Sequence, residues 1–550
     1  MAATHEVTNQ PPPLEDYNAF DLDRALAEAM RREGAGWAVE RARSLGAAVG
    51  SARVIGWARD ANRHAPEFRP VDRYGHRIDE VEYHPAYHEL MAWGIGEGMH
   101  ALCWDEKGKG GQAGRTGLYY LFNQAENGVA CPITMTYAAV PLMAQHPEIA
   151  AEWMPRILSR RYDRRSLPAE RKTGATIGMA LTEKQGGSDV RANTTRARPL
   201  GAGGPGGEYE LTGHKWFCSA PMSDAFFSLA YTERGELSCF LVPRWRADGT
   251  RNRILIQRLK EKLGNRSNAS SEIEYDGTWA RMVGEEGRGV PTIIRMIHHT
   301  RLDCTIGSAA LIRHALVHAL HHAAHRTAFQ RRLIDQPLMR AVLADLALES
   351  EAAMALVLRL GRAYDGAEEG ERALARIGTA IAKYWICKRT GPAVCEAMEC
   401  LGGSGYVEDG PVARLYREAP LNGIWEGSAN VICLDVARAI QREPQAVEAL
   451  RAELAAARGG DPRLDRRLDA LDQALAAPAE FEANGRLLVE RLALALQAAL
   501  LVQHAPAAVA DAFCAARLDS EAGGLAFGTA TGAADHRTIL ERAWPAAAMN

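Results

Sequence analysis

Three separated segments of the chain carry side chains that could bind a flat or phosphate-bearing ligand and move a proton. The first, MALTEKQGGSDV at residues 179–190, is predicted to leave a strand through a glycine-containing turn. Backbone N–H groups in such a turn, together with the Thr182 and Ser188 hydroxyls, can hydrogen-bond a heterocycle or a phosphate. An ordinary strand and turn would give the same pattern, so this segment alone leaves both interpretations open.

The second segment, GHKWFCS at residues 213–219, places the adjacent aromatic residues Trp216 and Phe217 on a predicted strand. Their rings could cover a bound ring system, or they could belong to the core of a barrel. Residue type alone does not separate these two alternatives, because aromatic side chains are used for both purposes.

The third segment, LNGIWEGSAN at residues 421–430, places Glu426 between Trp425 and Gly427, and the glycine-rich stretch LGGSGY at residues 401–406 precedes it. A carboxylate among apolar neighbours is expected to have a raised pKa and can act as a base when a substrate arrives. The alternative is a surface acid near the start of a helix, where a carboxylate interacts favourably with the helix dipole.

A change in hydrophobic periodicity divides the chain into helical, β and helical parts. Stretches between about 174 and 285 are short and rich in aromatic and β-branched residues, which predicts a barrel or a sandwich. Elsewhere the spacing is helical, and the whole order predicts the α+β class rather than a wound parallel sheet. The predicted domains are an N-terminal helical domain at 1–173, a β-barrel at 174–285, a helical bundle at 286–440 and a helical extension at 441–550.

Composition restricts the classes of protein that this chain can belong to. Its 550 residues are 47% hydrophobic and 24% charged, with a net charge of −3, which indicates a soluble globular protein and excludes a collagen or a disulfide-rich miniprotein. The ten cysteines form no C-x-x-C pair, which favours reduced thiols in a cytoplasmic protein. The N-terminal residues have no apolar core typical of a signal peptide, and polar residues interrupt the most apolar late stretch, so no membrane association is expected.

Two further patterns resemble ligand-binding motifs but are better explained as ordinary structural elements. Residues 201–206 match G-x-G-x-x-G, but predicted strands flank both sides, so a hairpin loop is favoured over a dinucleotide fingerprint. His314, His318 and His322 recur every four residues and could bind a metal on one helix face. Because no acidic or cysteine ligands complete the set, packed or partly exposed imidazoles are favoured, and no metal site is predicted.

Together the three segments resemble the acyl-CoA dehydrogenase family, and more closely its AidB-like branch of flavoproteins associated with alkylation damage. The closer likeness is carried by TEKQGGSDV, GHKWF, KLGNRSNAS at residues 262–270 and NGIWEGSAN. The resemblance covers about residues 15–440. It implies a helical domain, a middle β-barrel and a second helical bundle, with FAD between the barrel and the bundle. Family members form homodimers or homotetramers that share flavin sites, and a homotetramer is expected here.

The resemblance also implies roles for individual residues. The base of the family is placed at Glu426, because its other known position is occupied here by Thr300, ahead of Arg301. Glu426 would take the C2 proton of an acyl-CoA thioester while hydride leaves C3 for the flavin. The implied FAD-binding residues are Met179, Leu181, Thr182, Gly187, Ser188, Phe217, Ser219, Arg326, Phe329, Gln336, Glu399, Gly402, Gly403, Ile424, Trp425, Gly427, Ser428 and Asn430.

Several positions depart from the family pattern. Gln330 replaces a usual glycine, Glu399 replaces a frequent glutamine, and Lys184 and Gln185 replace a more usual Pro-Gly or Pro-Glu pair. The glutamate adds a negative charge near the expected phosphates of the cofactor. These departures bear on ordinary CoA-ester binding more than on FAD binding.

AidB-like proteins are also described as binding duplex DNA, which gives a second hypothesis with dehydrogenation weak or vestigial. Residues 441–550 hold 11 arginines, no lysine and 15 acids, a net charge of −4, which argues against a basic tail. Residues 251–266 hold six basic residues and one acid, and residues 156–172 hold seven and two, so each has a net charge of +5. These clusters could bind phosphates, or they could be solvated faces paired with acids.

Overall fold

The periodic helical and β segments form regular elements in the computed structural model, which describes residues 4–476, 481–519, 526–531 and 534–545. Parts of the predicted C-terminal extension, at 477–480, 520–525, 532–533 and 546–550, lie outside the described residues. The strands are β1 (Glu67–Val71), β2 (Arg77–Glu82), β3 (Ile177–Ala180), β4 (Arg196–Pro199), β5 (Glu208–Ser219), β6 (Ala225–Thr232), β7 (Leu237–Pro243), β8 (Ile254–Leu259), β9 (Ser270–Val283), β10 (Thr327–Ala328) and β11 (Arg331–Arg332).

Helices make up most of the rest of the described chain. Those before the β part are α1 (Arg24–Arg32), α2 (Val39–Val49), α3 (Ala52–Arg63), α4 (Pro85–Gly96), α5 (Leu102–Asp105), α6 (Gly111–Ala125), α7 (Ala130–Met143) and α8 (Pro147–Ile157). Those after it are α9 (Gly289–His325), α10 (Pro337–Asp365), α11 (Glu369–Cys400), α12 (Gly403–Tyr406), α13 (Val412–Glu418), α14 (Ala429–Arg442), α15 (Pro444–Ala455), α16 (Pro462–Ala476), α17 (Phe481–His504), α18 (Ala507–Leu518) and α19 (His536–Ala543).

The chain divides into two compact units, and each is assembled from separated segments. Unit 1 comprises Met1–Ile55, Glu106–Ala125 and Cys304–Asn550. Unit 2 comprises Gly56–Asp105 and Glu126–Asp303.

The β part of unit 2 is a closed ring of five strands. Each of β6, β4, β5, β9 and β7 pairs with the next, and β7 pairs back with β6. Strand β3 adds to β6 in parallel, and β8 adds to β9. Ring closure leaves few unpaired strand edges. Phe226 and Phe240 are fully buried on one face of the paired strands β6 and β7, and Phe227 is fully buried on the other face.

The α+β fold class predicted from the sequence is confirmed. The G-x-G-x-x-G stretch lies in the loop between antiparallel strands β4 and β5, as expected for a hairpin. Pro337 opens α10, where its missing N–H leaves no hydrogen bond unmade. The antiparallel hairpin β1–β2 lies within the first part of the chain, which the sequence predicts to be helical. No helix among the described residues is both long enough and apolar enough to cross a bilayer.

Candidate active site

Glu426 lies at a sharp reversal of the chain in unit 1. Its φ is +57° and that of Gly427 is +108°, so two consecutive residues have left-handed backbone. A non-glycine residue in this region costs roughly 1–2 kcal/mol, so surrounding contacts must hold the reversal in place. The Glu426 side chain is partly buried, while Ile424 and Ser428 are exposed.

Hydrogen bonds from α9 and α11 hold this loop. The buried Lys383 donates from Nζ to the carbonyl oxygens of Asn422 at 3.0 Å and Gly427 at 2.7 Å. The Asn422 side chain donates to Ser308 Oγ at 3.2 Å and accepts from Trp425 Nε1 at 2.8 Å. The main chain on both sides of Glu426 is therefore tied to the helices behind it.

In unit 2 the first and second sequence segments are joined through main chain and a buried ion pair. Trp216 N–H donates to the Thr182 carbonyl at 2.7 Å. Next to Thr182, Glu183 accepts from Lys215 Nζ at 2.8 Å, and both side chains are fully buried. The loop therefore leaves β3 and is anchored directly to β5.

Glu183 also closes the loop that follows it. Its carboxylate accepts from Thr194 N–H at 2.7 Å and from Thr195 Oγ1 at 2.5 Å. Burial alone would raise the pKa of Glu183, but the Lys215 charge and these hydrogen bonds lower it to about 2. Burial lowers the pKa of Lys215 to about 8, against the opposing effect of Glu183. Glu183, at the start of the loop, bonds both Lys215 of β5 and the threonines at the end of the loop. The ion pair therefore fixes residues 183–195 on the barrel.

A bulge in β5 directs the two aromatic residues of the second segment outward. The β5–β9 register shifts between Lys215 and Cys218, and Phe217 is 46% exposed. Lys260 Nζ lies 3.0 Å from the Trp216 ring centroid and 4.7 Å from that of Phe217. Phe217 is therefore not a barrel-core residue, and its exposed ring could cover a ligand.

Ser219, at the end of β5, lies in a polar cluster on the barrel. Its Oγ is 3.3 Å from Ser270 Oγ, which accepts a hydrogen bond from Lys262 Nζ at 3.2 Å. Lys262 begins KLGNRSNAS, the segment that carries part of the closer family likeness. A hydroxyl and a cation are thus held close together, two residues beyond Phe217.

The segment that carries the implied FAD-binding residues Arg326, Phe329 and Gln336 contains a tight hairpin in unit 1. Strands β10 and β11 are joined by Phe329 and Gln330, both with positive φ, and Phe329 is 90% exposed. Gln336 donates to the Ala328 carbonyl at 3.0 Å. Asn9 both accepts from Thr327 N–H and donates to its carbonyl, at 2.8 Å each. The hairpin is therefore held from two sides and presents an aromatic ring to solvent.

The predicted glycines after α11 are open to a ligand. A Cβ at Gly402 or Gly403 would meet no atom of the described residues within 4 Å. Gly402 has φ +58° and ψ −143°, a backbone conformation accessible mainly to glycine. Glu399, three residues earlier, is exposed.

Gly402→Ala and Gly403→Ala separate backbone strain from steric contact. Because only Gly402 requires positive φ, we expect Gly402→Ala to lower the free energy of unfolding by about 1–3 kcal/mol. We expect Gly403→Ala, at the first residue of α12, to change it by less than about 0.5 kcal/mol. Urea unfolding of both variants measures the difference, and equal losses would contradict the assignment of strain to Gly402.

The histidine stripe of α9 is packed inside unit 1. His314 Nε2 and His318 Nε2 are 3.1 Å apart. Burial, with smaller effects of His321 and Arg414, lowers the pKa of His318 to about 3, so both rings are neutral near pH 7. Within the described residues no group of three or more histidine, cysteine, aspartate or glutamate side chains could hold a metal.

Within each unit the structure brings together part of the predicted site. Thr182 is linked to the strand that carries Phe217 and Ser219, and Gly427 is tied to the loop of Ile424 and Trp425. Three lysines of the site, Lys215, Lys260 and Lys383, are not among the residues predicted from the sequence. Lys215 was visible inside GHKWF, but a lysine in a strand gives no sign of its burial. Lys383 carries no local signal, since its partners lie 39 and 44 residues away.

Comparison with known proteins shows the family to which the chain belongs. Residues 9–164 match the N-terminal domain of the adaptive response protein AidB, residues 178–278 the acyl-CoA dehydrogenase middle domain, and residues 287–441 the acyl-CoA dehydrogenase C-terminal domain. AidB of Escherichia coli (strain K12) is 45% identical over 523 residues, which cover 94% of this chain and 95% of that protein. The chain belongs to the acyl-CoA dehydrogenase family, in its AidB-like branch.

Solved structures of acyl-CoA dehydrogenase relatives share the fold. Caenorhabditis elegans ACDH-11 in complex with C11-CoA has a TM-score of 0.84 at 25% identity, covering 98% of this chain and 97% of that chain. A Bacillus anthracis acyl-CoA dehydrogenase complexed with FAD has a TM-score of 0.61 at 19% identity, covering 83% of this chain and 81% of that chain, and shows the fold alone. FAD is the cofactor of the acyl-CoA dehydrogenase family.

Proposed function

We propose that this protein is an FAD-dependent dehydrogenase of a short or branched acyl-CoA thioester, with Glu426 as the base. The observation that carries the proposal is a partly buried glutamate on a main chain that is held in place. Glu426 lies on a reversal whose flanking carbonyl groups are bonded to a buried lysine, so the backbone that carries its side chain is positioned before a substrate arrives. Such pre-organisation is what a catalytic base requires.

The chemistry of the described residues fits FAD. Phe217 exposes nearly half of its surface, and the Ser219 hydroxyl lies on the same strand. The loop that contains Gly187 and Ser188 is exposed and anchored through Glu183. Gly402 and Gly403 leave space where side chains would otherwise be. We propose that these positions, with the remaining residues named from the sequence, bind the isoalloxazine ring and the phosphates.

The proposed mechanism assigns two tasks to the loop. A thioester C2–H is a weak acid, so oriented donors must polarise the carbonyl, and the Glu426 N–H is a suitable donor. The Glu426 carboxylate then accepts the C2 proton as the C2–H bond breaks. FAD supplies the hydride acceptor when it is bound, so that the product is a trans-2-enoyl thioester.

Anaerobic titration of the FAD-loaded protein tests this function. A panel of short linear, branched and C11 acyl-CoA thioesters is added, and the visible flavin absorbance is followed. We expect at least one short or branched thioester to bleach the flavin. A preparation that stays colourless when offered FAD would contradict cofactor binding, and an FAD-loaded protein that no thioester reduces would contradict dehydrogenation alone.

Binding of duplex DNA remains a prediction with weaker support. In residues 251–266, Arg253 pairs with Asp276, and Arg258 and Lys260 pair with Glu272. Ion pairs in residues 156–172 include Arg160 with Asp105, Arg165 with Asp163 and Lys172 with Asp224. Paired cations attract phosphate less than isolated ones, so these contacts favour the alternative of charge-paired faces.

We further propose that the protein acts as a homotetramer in the cytoplasm. Three large apolar side chains of unit 1 support subunit contacts: Phe329 is 90% exposed, Leu338 85% and Tyr406 79%. Aromatic side chains such as Phe329 and Tyr406 are enriched at protein–protein interfaces. Nine of the ten cysteines are buried, which supports a reducing compartment.

A further inference from the structure

Lys383 is a buried cation that donates two hydrogen bonds to residues 422–427, the segment that contains Glu426 and is called here the Glu426 loop. Its side chain is 2% exposed, and its Nζ reaches the carbonyl oxygens of Asn422 and Gly427 at 3.0 and 2.7 Å. Burying an ammonium group is unfavourable unless its donors are satisfied. Bonds from a charged donor are also shorter and stronger than neutral ones.

The two acceptors lie on either side of the catalytic carboxylate. Asn422 precedes Glu426 by four residues, and Gly427 follows it directly, so one ammonium group bridges both ends of the segment. Within this segment Glu426 has positive φ, an unfavourable conformation for a residue with a side chain. The bridge therefore opposes relaxation of this backbone toward a more favourable conformation.

Packing alone does not hold the loop on this side. A cavity of about 260 Å³ lies between the loop and α11, and Gly423, Ile424 and Gly427 line it together with Lys383 and Lys388. A segment beside a cavity has fewer packing contacts, so packing opposes its movement less. On the α11 side the loop is therefore held by the hydrogen bonds of Lys383, in addition to the bond of Asn422 to Ser308 in α9.

We propose that Lys383 is a positioning residue that holds the Glu426 loop in the geometry needed for proton abstraction. The role of Glu426 as the base rests on the proposed function; the restraint of the loop by Lys383 does not. Lys383 does not touch the substrate in this proposal. It acts through the main chain of Asn422 and Gly427.

The first test measures the loop without cofactor or substrate. Amide hydrogen exchange of residues 423–427 is compared in the full-length wild type, Lys383→Met, Lys383→Arg and Lys388→Met. Lys388 lies on the same helix and lines the same cavity but is exposed, which makes it the matched control. We expect exchange about tenfold faster in Lys383→Met, an intermediate value in Lys383→Arg and no change in Lys388→Met. Unchanged exchange in Lys383→Met would overturn the proposal.

The second test measures proton abstraction separately from hydride transfer. A thioester with sulphur in place of C3 can lose its C2 proton but cannot lose hydride, and its enolate gives a long-wavelength charge-transfer band with bound flavin. We expect Lys383→Met to shift the pH midpoint of this band upward and to lower kcat for a substrate about 100-fold, with KM changed little. We expect Lys383→Arg to restore part of both.

The outcomes distinguish the two proposals. Faster loop exchange with an unshifted midpoint and unchanged kcat would make Lys383 merely structural and would overturn the positioning role. A wild type that forms no band and reduces no flavin would refute the proposed function, and the exchange result alone would then decide whether Lys383 holds the loop. If Lys383→Met does not fold, Lys383→Gln, which keeps one donor, is measured with the same expectations and smaller shifts.

Discussion

Glu426→Gln is expected to abolish thioester-driven reduction of the flavin while leaving the flavin bound. Glutamine has nearly the same shape and the same backbone preference, so the reversal at φ +57° should persist. Its amide cannot accept the C2 proton, and loss of a general base typically lowers the rate by about 10²- to 10⁴-fold. Anaerobic stopped-flow spectrophotometry of the FAD-loaded variant measures the rate.

Glu448→Gln is the control for this variant. Glu448 is an exposed residue of α15, so its substitution removes one negative charge away from the loop. We expect its flavin content and reduction rate to match those of the wild type. Reduction of the Glu426→Gln flavin within tenfold of the wild-type rate would assign the proton to another group.

Lys215→Met is expected to be the most destabilising single substitution considered. It leaves the Glu183 carboxylate fully buried without its cation, although the threonine hydrogen bonds remain. Removing one member of a buried ion pair typically costs about 3–5 kcal/mol, because the remaining charge is uncompensated. Urea unfolding followed by circular dichroism measures the change, and a weaker affinity for FAD should accompany it as residues 183–195 loosen.

Two further variants identify the cause of that loss. Arg198→Met breaks an exposed ion pair with Glu210 between the neighbouring strands β4 and β5, and it should cost less than about 1 kcal/mol. The double variant Lys215→Met/Glu183→Gln also removes the uncompensated negative charge of Glu183, so it should recover part of the lost free energy of unfolding. A Lys215→Met loss no larger than that of Arg198→Met would show that the buried pair does not anchor the loop.

The sequence predicts the fold well where periodicity is strong. Alternating strands and long helical stretches fix the fold class. The helical spacing predicts helices at about 371–400 and 428–441, and α11 and α14 lie within two residues of these bounds. The β1–β2 hairpin escapes prediction because its strands, EFRPV and RIDEVE, are rich in charged residues and hold only three β-branched residues. Pairing of such a hairpin depends on neighbours: Asp79 accepts from Ile256 N–H at 2.9 Å, a contact 177 residues away in sequence.

The sequence identifies the motifs of the candidate site but not the side chains and backbone features that hold them in place. Glu426 and Phe217 are identified by the segments around them. The groups that hold them, Lys383 and the bulge between Lys215 and Cys218, depend on tertiary contacts that no local spacing encodes. The positive φ of Gln330 is likewise unexpected, since glycine or asparagine is the usual residue in such a turn.

The interleaved construction of the two units has a consequence for synthesis on the ribosome. Residues 1–55 belong to unit 1, but most of their unit begins at residue 304. At typical elongation rates roughly 10–50 s separate the emergence of these two parts. The apolar face of α1 packs mainly on α10, so it lacks this partner while nascent unit 2 is made, whereas α2 can pack on α6 as soon as residues 106–125 emerge. Chaperone dependence and aggregation of truncated chains should therefore be governed by α1.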